Sequence, residues 1–428
     1  MSIFTTLYTG ASGLEAHGDA ISVVGDDISN ASTVGYKDEE AQFANVIGGA
    51  TLAGQNVGDG VRMSGTQTEF GQGSLETTGR NLDVAISGNG FFVVNGNYNG
   101  QQGSYYTRDG SFSLNDSGTL VNEEGMAVQG YTIDPTGKMS TTPSDLVIGG
   151  ASPPNATTEV TMGINLDSTS TTPTTPWDPA NPAATSNYST STEVYDSLGD
   201  PHRVDVYYVD NGGGQWDYHA MVDGGDVTGG TAGVPTEIAS GNMTFNTDGS
   251  LQTVNALTSS ANFLNATPNQ AITFNMGDPI SAGGTGLAGT TQYASASTVN
   301  AVNQDGYAAG SLSNVTIGDD GTVTGTFSNG ESRSIARLAM ATFASQDNLQ
   351  REGDQLFSQS QTSGQALVDA AGVGGRGSTT SGALEQSNVD LSSELVTLIA
   401  YQRAFSANSK TVQTADQMLQ EVDNLKQT

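Results

Sequence analysis

The chain has no cysteine. Disulfide frameworks, thiolate metal sites and cysteine nucleophiles are therefore excluded. Cations are scarce as well: 13 basic residues stand against 45 acidic ones, a net charge of −32. Such a surface repels phosphates and anionic headgroups, so neither nucleic acid nor a lipid surface is an expected partner. No run approaches the roughly 20 apolar residues of a membrane span. The N-terminus lacks a basic region followed by an apolar block, so no cleavable secretory signal is expected. Histidine is rare too: His17, His202 and His219 are the three present. None forms a metal-ligand spacing, and His17 reads as an exposed helix residue. His202 and His219 flank adjacent predicted strands, where they could meet across a hairpin. Paired carboxylates cannot be singled out among so many acids, because the Asp residues cluster in turns that local hydrogen bonding explains. No catalytic residue, cofactor or metal site is expected, and the chain reads as a non-enzyme.

The 428 residues suffice for two to four domains, and 56 glycines with abundant Ser, Thr and Asn suit turns and short strands. Two segments differ. Near the N-terminus Leu7, Leu14, Ile21 and Ile28 are spaced by seven, with Phe4, Ala11, Gly18 and Gly25 three residues before each. This predicts a helix with an a/d seam and small positions suited to close packing. Asn30 and Gly35 are the expected stop residues, since both tolerate a left-handed backbone. At the C-terminus Leu391, Leu398, Phe405, Val412 and Leu419 repeat the spacing, with Asn388 or Asp390 as cap. Between them the pattern is β-rich. Hairpins are predicted in "HRVDVYYVDNGGGQWDYHAMV" (202–222), "MTFNTDGSLQTV" (243–254) and "VTIGDDGTVTGTF" (315–327). The "GNG" at 88–90 suits a turn or bulge better than a nucleotide loop, and the Pro/Thr-rich stretch 168–186 reads as an extended surface loop.

The expected architecture is a set of mainly β middle domains flanked by N- and C-terminal α-helices that pair as a coiled coil, a nested multi-domain chain. Residues 1–33 with 387–428 would form the helical domain, and 34–69 a linker. Residues 70–150 with 292–375 would form the first β-rich domain, 151–291 an inserted outer one, and 376–386 a return linker. Neither helix has a local partner, so each must bury its stripe against the other, against the β domains, or against another copy.

Several segments together carry a resemblance. "SNASTVGYK" (29–37), "TGRNLDVAISGNGFFVVN" (78–95), "YTRDGSFSLNDSGTLVNEEGMAVQGY" (106–131) and "GALEQSNVDLSSELVTLIAYQRAFSANSKTVQTADQML" (382–419) resemble the bacterial flagellar rod and hook axial protein family. The middle segments 161–170, 194–209 and 303–366 are similar to its hook branch. The resemblance implies a structural subunit that self-assembles into a curved, flexible helical tube of many copies, a universal joint carrying torque from rod to filament. It implies an inner layer built from the two heptad series. It implies as partners the distal rod protein, the hook cap, the hook–filament junction proteins and the flagellar export apparatus. Localisation would be extracellular, in the flagellar hook, with export by an uncleaved N-terminal element. Phe4 and Tyr8 in "FTTLY" are similar to such an element. Another axial protein (distal rod or hook-associated) and a secreted β-rich adhesin or enzyme remain alternatives at this point.

Overall fold

The computed structural model describes residues 3–47, 58–134 and 136–426. It is mainly β, with one long helix at each end: Ile3–Ser29 and Leu391–Lys426. Two compact units are present. The first comprises Met1–Gly149, Asn314–Thr326 and Ser332–Thr428; the second comprises Gly150–Ser313 and Phe327–Glu331.

The second unit holds an antiparallel meander in the order Tyr188–Tyr195, Pro201–Gly212, Gln215–Asp223, Pro235–Phe245, Leu251–Ala261 and Gln270–Ala271. Its strand Pro201–Gly212 alternates as expected, with His202, Val204, Val206 and Tyr208 all buried. Val204, Val206 and Tyr208 pack with Trp216, Tyr218 and Met243, and with Val160, Met162 and Ile164 of strand Glu159–Asp167. That strand pairs antiparallel with Thr298–Gln304. The pairing draws residues 292–313 into the second unit rather than the first β-rich domain expected for them. The 168–186 stretch is not merely extended. It carries a short helix at Pro182–Thr185, and Trp177 stacks on His219 at 4.2 Å between ring centroids. The two histidines do not meet. His202 lies opposite Val194 and His219 opposite Tyr207, and His219 Nδ1 lies 2.8 Å from Glu237 Oε2.

The first unit has an antiparallel sheet in the order Thr322–Phe327, Ser332–Thr342, Ala127–Thr132, Phe91–Tyr98, Gln101–Thr107, Leu356–Ser358 and Gln350–Gly353. Phe91 anchors its core, with ring centroids 5.4 Å from Phe70 and 5.7 Å from Phe357. Turns recur in one form. In Asn115–Thr119, Asn122–Met126 and Asp196–Asp200 the first residue's carbonyl accepts from the glycine amide three residues on. The first residue's Oδ1 accepts from the amide of the fifth. Local capping of this kind accounts for Asp196, and Asn fills the same place in the other two turns.

Two expected linkers are structured. The segment 34–69 contains an antiparallel ribbon of Glu39–Ile47 and Gly58–Thr68; residues 48–57 lie outside the described residues. It lies against the N-terminal helix, where Val61 N donates to Ser12 Oγ at 3.3 Å. A Cβ on Gly60 would sit 2.0 Å from that same Oγ. Its few apolar side chains, Ala41, Phe43, Ile47, Val61 and Met63 among them, stand between glycine, polar and acidic residues, so its hydropathy signal is weak. The return segment 376–386 is likewise two short strands. Ser378–Ser381 pairs with Val84–Ser87, and Ala383–Glu385 pairs with Leu75–Thr77. Through these pairings both terminal helices belong to the first unit instead of forming a helical domain apart from it.

The terminal helices lie side by side and antiparallel, but the buried face of the N-terminal one differs from the expected seam. Gly10, Gly13, Ala16, Ala20, Val24 and Asp27 are its buried residues, while Leu7, Leu14, Ile21 and Ile28 are half-buried. The buried face is turned by about 100°, one residue's rotation. Close approach accordingly falls at Gly10 and Gly13. A Cβ on Gly10 would come 2.7 Å from Val412 Cγ2, and one on Gly13 would come 2.4 Å from Asn408 Nδ2. The expected small positions behave otherwise: Ala11 is exposed, a Cβ on Gly18 would meet the Phe405 ring at an ordinary 3.9 Å, and one on Gly25 would meet nothing within 4 Å. On the C-terminal helix Leu398, Tyr401, Asn408, Val412, Ala415 and Leu419 are buried or half-buried at heptad spacing, whereas Leu391 and Phe405 are more exposed. His17 is not an exposed helix residue. Its ring lies 5.4 Å from Phe43 of the ribbon and 5.9 Å from Tyr401.

Candidate functional site: the helix–β junction

The sequence "SNASTVGYK" ends the N-terminal helix and turns the chain into the β unit. Asn30 does this through its side chain. Its Nδ2 donates to Asp26 O at 3.0 Å and its Oδ1 accepts from Thr33 Oγ1 at 3.1 Å, while its backbone does not take the left-handed region. Gly35 does take it, at φ +68°. It also lies so close to the 108–109 backbone that a Cβ would be 2.7 Å from Asp109 N. Any other residue would meet both penalties. The Gly35 amide donates to the Glu385 carbonyl at 2.8 Å, so the outgoing and returning chains touch here.

Glu385 is the centre of the junction. Lys37, Arg108 and Glu385 are all buried, with Lys37 Nζ 2.6 Å from Oε1 and Arg108 Nη1 3.2 Å from Oε2. Gly73 N donates to Oε1 at 2.9 Å, and Lys37 Nζ donates to Gly71 O at 2.7 Å. Arg108 also stacks over Phe91, 5.3 Å from the ring centroid, which ties the charge cluster to the sheet core. Burial lowers the pKa of Lys37 and of Arg108, and Glu385 opposes that shift in each. Two cations share one carboxylate, so this site depends on Glu385 more than on either cation.

A second layer closes the junction at the start of the C-terminal helix. Asp38 N donates to Asn388 Oδ1 at 2.9 Å, Asn388 Nδ2 donates to Asp38 Oδ1, and Asn388 Nδ2 donates to Glu69 O at 2.9 Å. Asp390 then caps the helix, its Oδ1 accepting from Ser392 N at 2.9 Å. Tyr36 Oη donates to Asp27 Oδ1 at 2.8 Å, and Arg351 lies over the Tyr36 ring while pairing with Glu39. Lys37, Arg108, Glu385 and Asp27 were not singled out by sequence. Their only signal is the scarcity of cations, for Lys37 and Arg108, and their place in or beside the motif segments 29–37, 106–131 and 382–419.

Phe4 and Tyr8 are 61% and 70% exposed on one face of the N-terminal helix. The C-terminal helix carries a further apolar face that the described residues leave half-exposed or more: Leu391, Leu395, Val396 and Ile399 are each between 48% and 68% exposed. Among the described residues no helix is long and apolar enough to cross a membrane.

Three family models match: a flagellar hook protein FlgE/F/G D1 domain over 85–168, a flagellar basal body protein FlaE D2 domain over 165–307, and a flagellar basal body rod FlgEFG protein C-terminal domain over 380–425. These define a structural protein of the flagellar axis. The chain is 37% identical to the flagellar hook protein FlgE of Salmonella typhimurium, over 97% of this chain and 98% of that one. It is 34% identical to that of Treponema pallidum, over 98% and 99%. The crystal structure of Helicobacter pylori flagellar hook protein FlgE2 aligns with a TM-score of 0.48 at 13% identity, over 73% of this chain and all of that one. The chain belongs to the flagellar hook protein FlgE family, the structural subunits of the bacterial flagellar hook.

Proposed function

We propose that this chain builds the hook by self-assembly into a curved, flexible tube that transmits torque from rod to filament as a universal joint. The observation that carries this reading is the exposed apolar face Leu391, Leu395, Val396 and Ile399 on the C-terminal helix. Exposed contiguous apolar surface on an otherwise very polar chain marks an interaction site. The half-buried seam residues Leu7, Leu14, Ile21 and Ile28 lie on the neighbouring helix and would be completed by other copies. In this reading residues 1–33 and 387–428 pair as a coiled coil in the inner tube wall, and the β-rich parts form nested layers outside it. The distal rod protein, hook cap and hook–filament junction proteins would meet the ends of the tube. The exposed Phe4 and Tyr8 would be the element read by the export apparatus, with no cleaved signal.

Charge supplies the test. At −32 per chain, copies repel one another. The screening length falls from about 30 Å at 0.01 M salt to about 8 Å at 0.15 M. Sedimented polymer at fixed protein concentration is expected to rise across that range. No pelletable polymer at any salt would contradict the reading, and equal yield throughout would remove repulsion as its control.

A further inference from the structure

Asp27 is the one acidic residue on the buried face of the N-terminal helix, 1% exposed. Its Oδ1 accepts from Tyr36 Oη at 2.8 Å and from Glu39 N at 3.2 Å, while Oδ2 is buried with no partner. The surrounding elements add further negative charge. Asp26 on the same helix accepts from the same Tyr36 hydroxyl at 3.1 Å. The turn contributes Asp38, the ribbon Glu39 and Glu40, the following segment Glu69, and the start of the C-terminal helix Asp390 and Glu394. Val24, Asp38, Glu39, Glu40, Glu69 and Glu394 line one cleft of about 550 Å³, which Tyr401 also borders. The nearby cations are already engaged: Lys37 and Arg108 on Glu385, and Arg351 on Glu39.

We propose that Asp27 is a proton-operated latch: uptake of one solvent proton by its buried carboxylate tightens the junction of the N-terminal helix, the ribbon base and the start of the C-terminal helix. Ionised, the group holds an uncompensated charge out of water beside other carboxylates. Protonated, it keeps the Oδ1 hydrogen bonds and loses the charge. Burial is the main cause that pushes its pKa up to about 6, with Glu394 and Asp38 adding to the shift against the two hydrogen bonds to Oδ1. Burial and neighbouring carboxylates raise Glu394 as well, and burial raises Asp38. A carboxyl whose folded pKa lies above its unfolded value favours the folded junction at low pH, and that advantage is lost as pH rises through about 6. With 3.8 as the unfolded value, junction opening is expected to be about tenfold rarer at pH 5 than at pH 8.

The experiment is hydrogen exchange by mass spectrometry on the full-length monomer at pH 5 to 8, corrected for intrinsic exchange. Protection of residues 24–41 should fall about tenfold across the range in the wild type. In Asp27→Asn, which keeps the Oδ acceptor without a charge, most of that change should be lost and protection should stay near the acid level, leaving only the smaller contribution of Asp38 and Glu394. Glu394→Gln, at the half-buried helix start, should move the wild-type transition to lower pH. A flat wild-type profile overturns the proposal. So does an Asp27→Asn chain that keeps the transition, or a transition that Glu394→Gln leaves in place.

Discussion

Glu385→Gln is expected to cost about 3–5 kcal/mol of folding stability, the largest effect of any single polar substitution in the chain. The carboxylate is fully buried and neutralises both Lys37 and Arg108, while its Oε1 also accepts from Gly73 N. A glutamine amide retains one acceptor but removes the charge, leaving two desolvated cations facing each other. Lys37→Met should cost much less, because it leaves one cation and one anion paired at 3.2 Å through Arg108 and Glu385. Urea unfolding of the monomer measures both. Equal effects for the two substitutions would show that the cluster acts as separate pairs rather than around one shared carboxylate. The damage should centre on the junction, where outgoing and returning chains meet through Gly35 and Glu385.

The second large effect concerns assembly. Leu395→Asp combined with Ile399→Asp is expected to raise the concentration needed for polymerisation about a hundredfold or more. Burying each side chain is worth about 1.5–3 kcal/mol. Each is about half exposed in the monomer, so assembly gains about half of that at each, about 1.5–3 kcal/mol for the two. The cost of burying two Asp carboxylates adds to this, giving roughly two decades or more in association. Both residues are about half exposed in the monomer, at 50% and 48%, so its unfolding midpoint should fall, but by less than polymerisation is weakened. Sedimentation of polymer beside circular dichroism of the monomer separates the two readouts. Normal polymerisation by the double variant would assign the apolar face no part in assembly.

Much of the fold was legible. Seven-residue spacing marks both helices, and Asp-Gly and Gly-Gly turns mark the hairpins at 202–222, 243–254 and 315–327, each of which forms. What escaped had a common physical cause. Hydropathy reports large apolar side chains, whereas the N-terminal helix packs through glycines and alanines. Leu14 and Ile21 therefore drew attention to a face about 100° away from Gly13 and Ala20. The ribbon and the "STTS" strand at 378–381 are held chiefly by backbone pairing, the latter to a segment about 290 positions away, and few of their side chains are large and apolar. Lys37, Arg108 and Glu385 are charged residues that read as surface. Their burial follows from one another, across 277 and 348 positions of sequence. No local pattern encodes that. Gly35 was legible because left-handed backbone at a helix end is a local requirement.

The central claim is that the terminal helices, joined through this junction, form the inner wall of a bending tube. Electron cryomicroscopy of polymer grown from the purified chain tests it most directly. Curved tubes are expected, with the two helices innermost, Leu395 and Ile399 buried against a neighbouring copy, and spacing between copies that differs from inner to outer curve. Straight tubes with one fixed packing, or tubes in which that apolar face remains open to solvent, would contradict it.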